Sequence, residues 1–384
     1  MKSLWNEHEA RKYQEDPLAL RVYTSRLLGR DMSLVMHGGG NTSVKAHVND
    51  FFGAKQHVLY IKGSGWDLAT IEAQGFAAVK IESLWRMAEI KDLSDTDMVL
   101  QQRIAMLNPN APNPSVEAIL HAIIPFTYVD HSHADAIVTI TNTPNGQKII
   151  EEIYGKRVLI VPYVMPGFVL ARKVYEMTKG LDWSRCEGIV LLNHGLFTFA
   201  NTAQESYENH IKWVTKAEKH INQVVGKQSF STRGAKKGNN LLELAQIRRA
   251  VGRRQGGAVV AQLKDNDQSL SFSQLSKIKK LATRGTLTPD HVIRTKPKPV
   301  VLSKNIENDI QQYANQYQEY FNRYATGKLK ILDLAPRWAV WPNQGVITFG
   351  RSIVEAQIIS DIVDHTMLAI QRSEAMGGWK VLKE

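Results

Sequence analysis

"YVDHSHADAIVTIT", residues 128–141, is the stretch on which the reading of this chain turns. It is rich in β-branched residues, and its pattern predicts a strand. Side chains at i and i+2 of a strand leave the same face, so His131 and His133 project together. Two imidazoles on one face can share a metal ion, although an H-x-H pair also arises for structural reasons alone. A third histidine bears on that choice. His194, in "LLNHGLF", residues 191–197, ends an apolar run beside a glycine, the position of a site at a strand end. Three histidines leave one position of a tetrahedral ion open, which is the catalytic rather than the structural zinc pattern.

Upstream, "PSVEAILHAIIPF", residues 114–126, reads as the start of a helix with Ser115 as its N-cap. Glu117 stands in its first turn. Such a carboxylate can ligate a nearby metal or act as a general base, or can simply favour the helix dipole. His121, one turn later, reads as a core residue. Further upstream lies "HGGGNTSV", residues 37–44, whose glycines let a backbone approach a ligand and whose Asn41, Thr42 and Ser43 can bind oxygens. A lipase oxyanion loop would need a G-x-S-x-G elbow, and "KGSGW", residues 62–66, lacks its first glycine. P-loop and G-x-G-x-x-G patterns are absent. Tyr175 and Lys179 in "YEMTK" imitate a short-chain dehydrogenase pair, but no dinucleotide loop accompanies them.

The chain has 384 residues, 43% hydrophobic and 22% charged, the composition of an ordinary soluble protein of one large or two ordinary domains. No apolar run reaches the length of a membrane span, and the N-terminus is charged throughout, unlike a signal peptide. Cys186 is the only cysteine, which excludes an internal disulfide framework and favours a cytoplasmic location. The net charge of +11 suits an anionic small substrate, a nucleic-acid partner or merely a solvated surface. Zinc-finger, RRM and basic-zipper signatures are missing, so no nucleic-acid partner is expected.

Alternating helices and strands predict a layered α/β or α+β domain over residues 1–228. Residues 17–29 read as a helix and 57–68 as a strand with a turn. Residues 75–90 are ambiguous between strand and helix, 155–164 and 187–200 supply further strands, and 202–225 form a long amphipathic helix. A Gly-, Ser- and Lys-rich stretch, 226–240, reads as a linker before a second module, 229–384. There the basic helix from 241 offers Arg248, Arg249, Arg253 and Arg254 for phosphate or, more plainly, for solvent. Residues 288–301, with Pro289, Pro297 and Pro299, read as turn and extended chain. The module also holds an echo: "NQGVITF", residues 343–349, repeats "NHGLFTF", residues 193–199, with Gln344 replacing His194. A degenerate duplication and the chance recurrence of a strand–turn–strand–helix pattern both account for it.

Taken in order, "HGGGNTSV", "KGSG", "PSVE", "HSHAD" and "LLNHG" resemble the class II aldolase/adducin family over residues 20–225. The likeness is greatest to the aldolase half of bifunctional rhamnulose-1-phosphate aldolase/alcohol dehydrogenases. "TPDHVIRTK" and "GVITFGRSIVEAQI" extend it over nearly the whole chain. The dehydrogenase half does not follow Glu384, so that second activity is not expected. The resemblance implies a three-layer α/β domain with a mostly antiparallel central sheet, and tetramers with sites between subunits. It implies zinc, or another divalent ion, on His131, His133 and His194, with Glu117 as acid/base. Asn41, Ser64, Gly65 and Ser115 match the family's phosphate-holding positions. Val116 departs from it, standing where the fuculose-phosphate branch has a second serine. The branch's tyrosine proton donor finds no clean counterpart, Tyr163 being a nearby candidate.

The reaction so implied is cleavage of a ketose 1-phosphate to dihydroxyacetone phosphate and an aldehyde. Epimerisation, decarboxylation and dehydration use the same metal and enediolate. Epimerases of the superfamily carry Asp at the place of Glu117, which leans toward the aldolase. A non-catalytic adducin-like role is disfavoured because such domains lack the three histidines.

Overall fold

The computed structural model describes residues 1–226, 241–327 and 329–382, and of residues 289 and 290 the backbone only. The expected linker therefore lies, from residue 227 onward, outside the described residues. The chain divides into two units, residues 1–141 with 145–221, and residues 142–144 with 222 onward.

The first unit is built on β1 (Asn41–Asn49), β2 (Lys55–Lys62), β3 (Phe76–Lys80), β4 (Tyr128–Ser132), β5 (Val158–Val161), β6 (Gly188–Leu191) and β7 (Gly195–Ala200). They form a seven-stranded sheet in the order β3-β2-β1-β4-β7-β6-β5. Only β5–β6 is parallel. This is the mostly antiparallel α/β architecture expected.

Strand alternation sorts the two faces. From β4, Val129 packs with Leu120, Leu170, Phe197 and Phe199 under the helices Ala118–Ile123 and Phe168–Thr178. Helix Ile81–Glu89 joins the same face through Leu84, beside Leu59 and Ile61 of β2. From the opposite face, Tyr128 packs with Val44 and Ala203, against Leu20. Those contacts belong to helices Pro17–Gly29 and Ala203–Val225. The sheet is thus the middle of three layers.

Four local expectations are corrected. The strand at 128 ends at Ser132, and Asp135–Thr141 is a helix with every residue buried. A short apolar run buried on all sides carries no periodicity to separate strand from helix, and β-branching misleads there. The ambiguous 75–90 is both, β3 followed directly by helix Ile81–Glu89. Glu117, not Ser115, occupies the N-cap position of its helix. Helix Pro289–Thr295 begins where turn and extended chain were expected, its proline at a first-turn position that needs no N–H.

The second unit holds β8 (Val260–Lys264), β9 (Val300–Val301), β10 (Trp338–Trp341) and β11 (Gly345–Gly350), in the order β8-β11-β10-β9. Ile247, Val251, Ile310, Ala339, Ile347 and Phe349 form its core. Buried Lys296 lies 3.5 Å from Asp333, which Arg337 grips through both terminal nitrogens at 2.8 and 2.7 Å. Order and strand sense match β4-β7-β6-β5 of the first unit. The turn asparagines are left-handed in both, Asn193 at φ 58° and Asn343 at φ 63°, a conformation asparagine tolerates. Thr198 Oγ1 donates to Ser206 O, and Thr348 Oγ1 to Ala356 O. A 23-residue helix follows each hairpin. Among the described residues no helix is long and apolar enough to cross a membrane.

Candidate functional site

The β1–β4–β7 centre of the first sheet gathers the three histidines. His131 is on β4, His133 just beyond its end, and His194 in the tight turn between β6 and β7. Their ligand atoms all lie within 4.8 Å of one another. His131 Nδ1–H donates to Leu196 O at 3.1 Å, because a carbonyl can only accept. That bond fixes the tautomer and turns the Nε2 lone pair toward His133 Nε2, 3.1 Å away. Burial, then the neighbouring His133 and His194, hold His131 well below the ordinary imidazole pKa, which suits a neutral donor.

The donor set fits a metal ion. Tetrahedral zinc with Zn–N near 2.0–2.1 Å separates its nitrogens by roughly 3.3 Å, close to the observed spacing of His131 and His133. Glu117 completes the cluster, one oxygen 3.4 Å from His131 Nε2 and the other 3.5 Å from His194 Nε2. It is 5% exposed.

Two glycines are demanded by this packing. A Cβ on Gly195 would stand 2.2 Å from Ser132 O and 3.0 Å from His131 Cε1. One on Gly40, at φ +60°, would stand 2.7 Å from His131 O. The glycine loop is therefore pressed against β4. Gly195→Ala is expected to destabilise the protein by about 1–3 kcal/mol and to lower metal stoichiometry, read by denaturation and by elemental analysis. Unchanged stability with full metal content would show that the turn relaxes freely.

The expected phosphate residues meet on one side. Ser115 N donates to Lys62 O at 3.1 Å and Ser64 N to Asn113 O at 2.8 Å, which ties "KGSG" to "PSVE". Ser64 and Gly65 are exposed, Ser115 is half-buried and Asn41 is buried. Asn41 does not face outward: its amide nitrogen donates to Ser115 Oγ at 3.0 Å and to Glu117 Oε2 at 2.7 Å. Tyr163 follows β5, its hydroxyl 3.9 Å from Met165 Sδ.

Several residues that matter carried no sequence signal. Lys62, 4% exposed, sends its ammonium to Gly38 O at 2.8 Å and so links the pocket wall to the glycine loop. Lys45 caps the far end of the Glu117 helix, donating to His121 O at 3.2 Å, to Phe126 O at 2.7 Å and to Ile124 O. Three acceptors match its three donors, while burial pulls its pKa down to about 7. Beneath β4, Arg21 and Asp130 pair at 2.6 Å, both fully buried, and Ser206 also donates to Asp130. His210 bridges Ser132 at 2.6 Å and Thr198 at 2.8 Å, its pKa pulled down to about 4 by burial. Only an alternation count along "YVDHSH" could have placed Asp130 opposite the histidines.

Comparison with known proteins agrees with this fold. Residues 19–221 match the family model described as Class II Aldolase and Adducin N-terminal domain, and residues 239–384 that described as Aldolase class II, second domain. The chain belongs to the class II aldolase and adducin family. It is 30% identical, over 404 aligned positions and all of its own length, to a Bacillus subtilis (strain 168) protein described as Uncharacterized oxidoreductase YuxG. The chain spans 58% of that relative's length. It is 42% identical to the solved N-terminal class II aldolase domain of a conserved protein from Thermoplasma acidophilum. That match has a TM-score of 0.52 and covers 58% of this chain and 99% of the other.

Proposed function

We propose that the first unit is a metal-dependent carbon–carbon lyase that cleaves a ketose 1-phosphate to dihydroxyacetone phosphate and an aldehyde. One observation carries the reading: the buried Glu117 carboxylate lies 3.4 and 3.5 Å from two of the three converging histidines. Zinc or another divalent ion held by His131, His133 and His194 would supply Lewis-acid stabilisation of charge on substrate oxygens. Opening C3–C4 takes a proton from the C4 hydroxyl, which becomes the aldehyde, and leaves the electron pair on C3, where Glu117 delivers a proton. Ser64, Ser115 and the Gly65 backbone orient the phosphate, with Lys62 as the nearby cation. The test is a metal assay followed by a screen of ketose 1-phosphates for dihydroxyacetone phosphate release. Metal-free protein with intact histidines would overturn the reading, and turnover without release of dihydroxyacetone phosphate would replace it by epimerisation, decarboxylation or dehydration. Assembly into a homo-oligomer is part of the proposal and is read by sedimentation.

Lys62→Met is expected to raise KM for phosphorylated substrates about tenfold, the loss of one modest charge-assisted contact, with metal content unchanged. Steady-state kinetics and competition by inorganic phosphate measure it. An unchanged KM would remove Lys62 from the phosphate pocket.

The second unit is proposed to be a degenerate copy of the β4–β7 part of the first. Strand register supports this. Phe197 pairs with His131, and its counterpart Ile347 pairs with Leu263. Leu263, Asp265 and Gln344 then occupy the places of His131, His133 and His194. Metal should therefore bind at one site per chain, and binding that survives loss of the first-unit histidines would contradict this.

A further inference from the structure

We propose that Ser43, His121 and Asn41 form a hydrogen-bonded positioning relay that aims the Glu117 carboxylate. The proposal rests on the reading of Glu117 as the acid/base group.

The chemistry of an amide fixes the direction of the relay. Asn41 has two N–H donors and one acceptor oxygen. A carboxylate accepts, so the nitrogen faces Glu117 Oε2 at 2.7 Å, and its second N–H goes to Ser115 Oγ at 3.0 Å. Oδ1 is left to accept, and its partner is His121 Nε2. That nitrogen must carry the ring proton. His121 Nδ1 is then an acceptor, satisfied by Ser43 Oγ–H at 2.8 Å. Turning the amide over would set Oδ1 against a carboxylate in a buried site, where such repulsion is costly. His121 thus locks Asn41, and Asn41 locks Glu117. His121 is fully buried, and burial, followed by Lys45 and Arg21, holds it well below the ordinary imidazole pKa, consistent with a neutral ring.

Strand and helix geometry make the grip continuous. Asn41, Ser43 and Lys45 alternate along one face of β1. They hold Glu117 at the start of its helix, His121 one turn on, and the carbonyls at the helix end. Both N–H groups of Asn41 are spent inside the protein.

Two isosteres of His121 separate the relay from simple packing. Glutamine places an N–H near the position of Nε2 and can still donate to Asn41. Asparagine reaches only the position of Nδ1 and cannot. In steady-state assays of the full-length metal-loaded chain on its best ketose 1-phosphate, His121→Gln is expected within about threefold of wild-type kcat. His121→Asn is expected to lose about tenfold or more, at unchanged KM and unchanged metal content. Asn41→Ala should likewise lower kcat. Equal loss in both His121 variants, loss confined to KM, or unchanged kcat in Asn41→Ala would overturn the relay. Absence of any turnover by wild type would instead defeat the lyase reading. The relay is then decided by nitrogen-15 NMR of histidine-labelled wild type, which also serves if the His121 variants misfold. A proton on Nε2 of His121 is expected, and a proton on Nδ1 alone would overturn it.

Discussion

Glu117→Gln is expected to leave the metal in place and to lower kcat by about 10²–10⁴-fold, the usual worth of a positioned acid/base group. The substitution keeps shape and volume, so the packing of helix Ala118–Ile123 against β1 should persist. Its amide oxygen can still accept from Asn41, which preserves the contact now made by Oε2. What it cannot do is accept and return a proton. The three histidines remain, and His131 keeps its bond to Leu196 O. The measurement pairs kcat with elemental analysis of the purified variant. Activity within a fewfold of wild type would remove Glu117 from the chemistry. Loss of metal together with activity would recast it as a fourth ligand.

Asp130→Ala is expected to destabilise the first unit by about 3–5 kcal/mol, because it leaves a buried guanidinium without its counter-charge. Arg21 and Asp130 are both 0% exposed. Their mutual attraction offsets the cost of taking two charges out of water but need not exceed it. The double variant Arg21→Met/Asp130→Leu is therefore expected to recover most of the lost stability, since no charge remains to be buried. Urea denaturation of both variants is the measurement. A single variant as stable as wild type would show that water or another group compensates Arg21. A double variant as unstable as the single would show that the pair fixes the geometry of β4 beyond its own electrostatics. Asp130 lies directly between Val129 and His131, so disorder there would also reach the metal site.

The separation of legible from illegible follows the range of the interactions. His131 and His133 could be paired from sequence by a strand period, although β4 ends at Ser132 and His133 lies just beyond it. His194 was recognisable because a histidine before a glycine at a strand end is an unusual local pattern. Glu117 and the glycine loop were located by motif order, and the class II aldolase fold with them. The break between β4 and helix Asp135–Thr141 was not legible, because a run buried on every side has no amphipathic period. The direction of Asn41 was not legible either. Its side chain answers to Ser115, Glu117 and His121, all distant in sequence.

The sequence by itself determined which residues could bind a metal, and the order of the motifs, because strand alternation and helix turns act over a few positions. Only the tertiary structure decided the partners: Lys62 on the glycine loop, Arg21 under Asp130, and Asn41 on Glu117. Buried polar groups must find hydrogen bonds wherever the fold offers them, and those offers come from segments that only folding brings together.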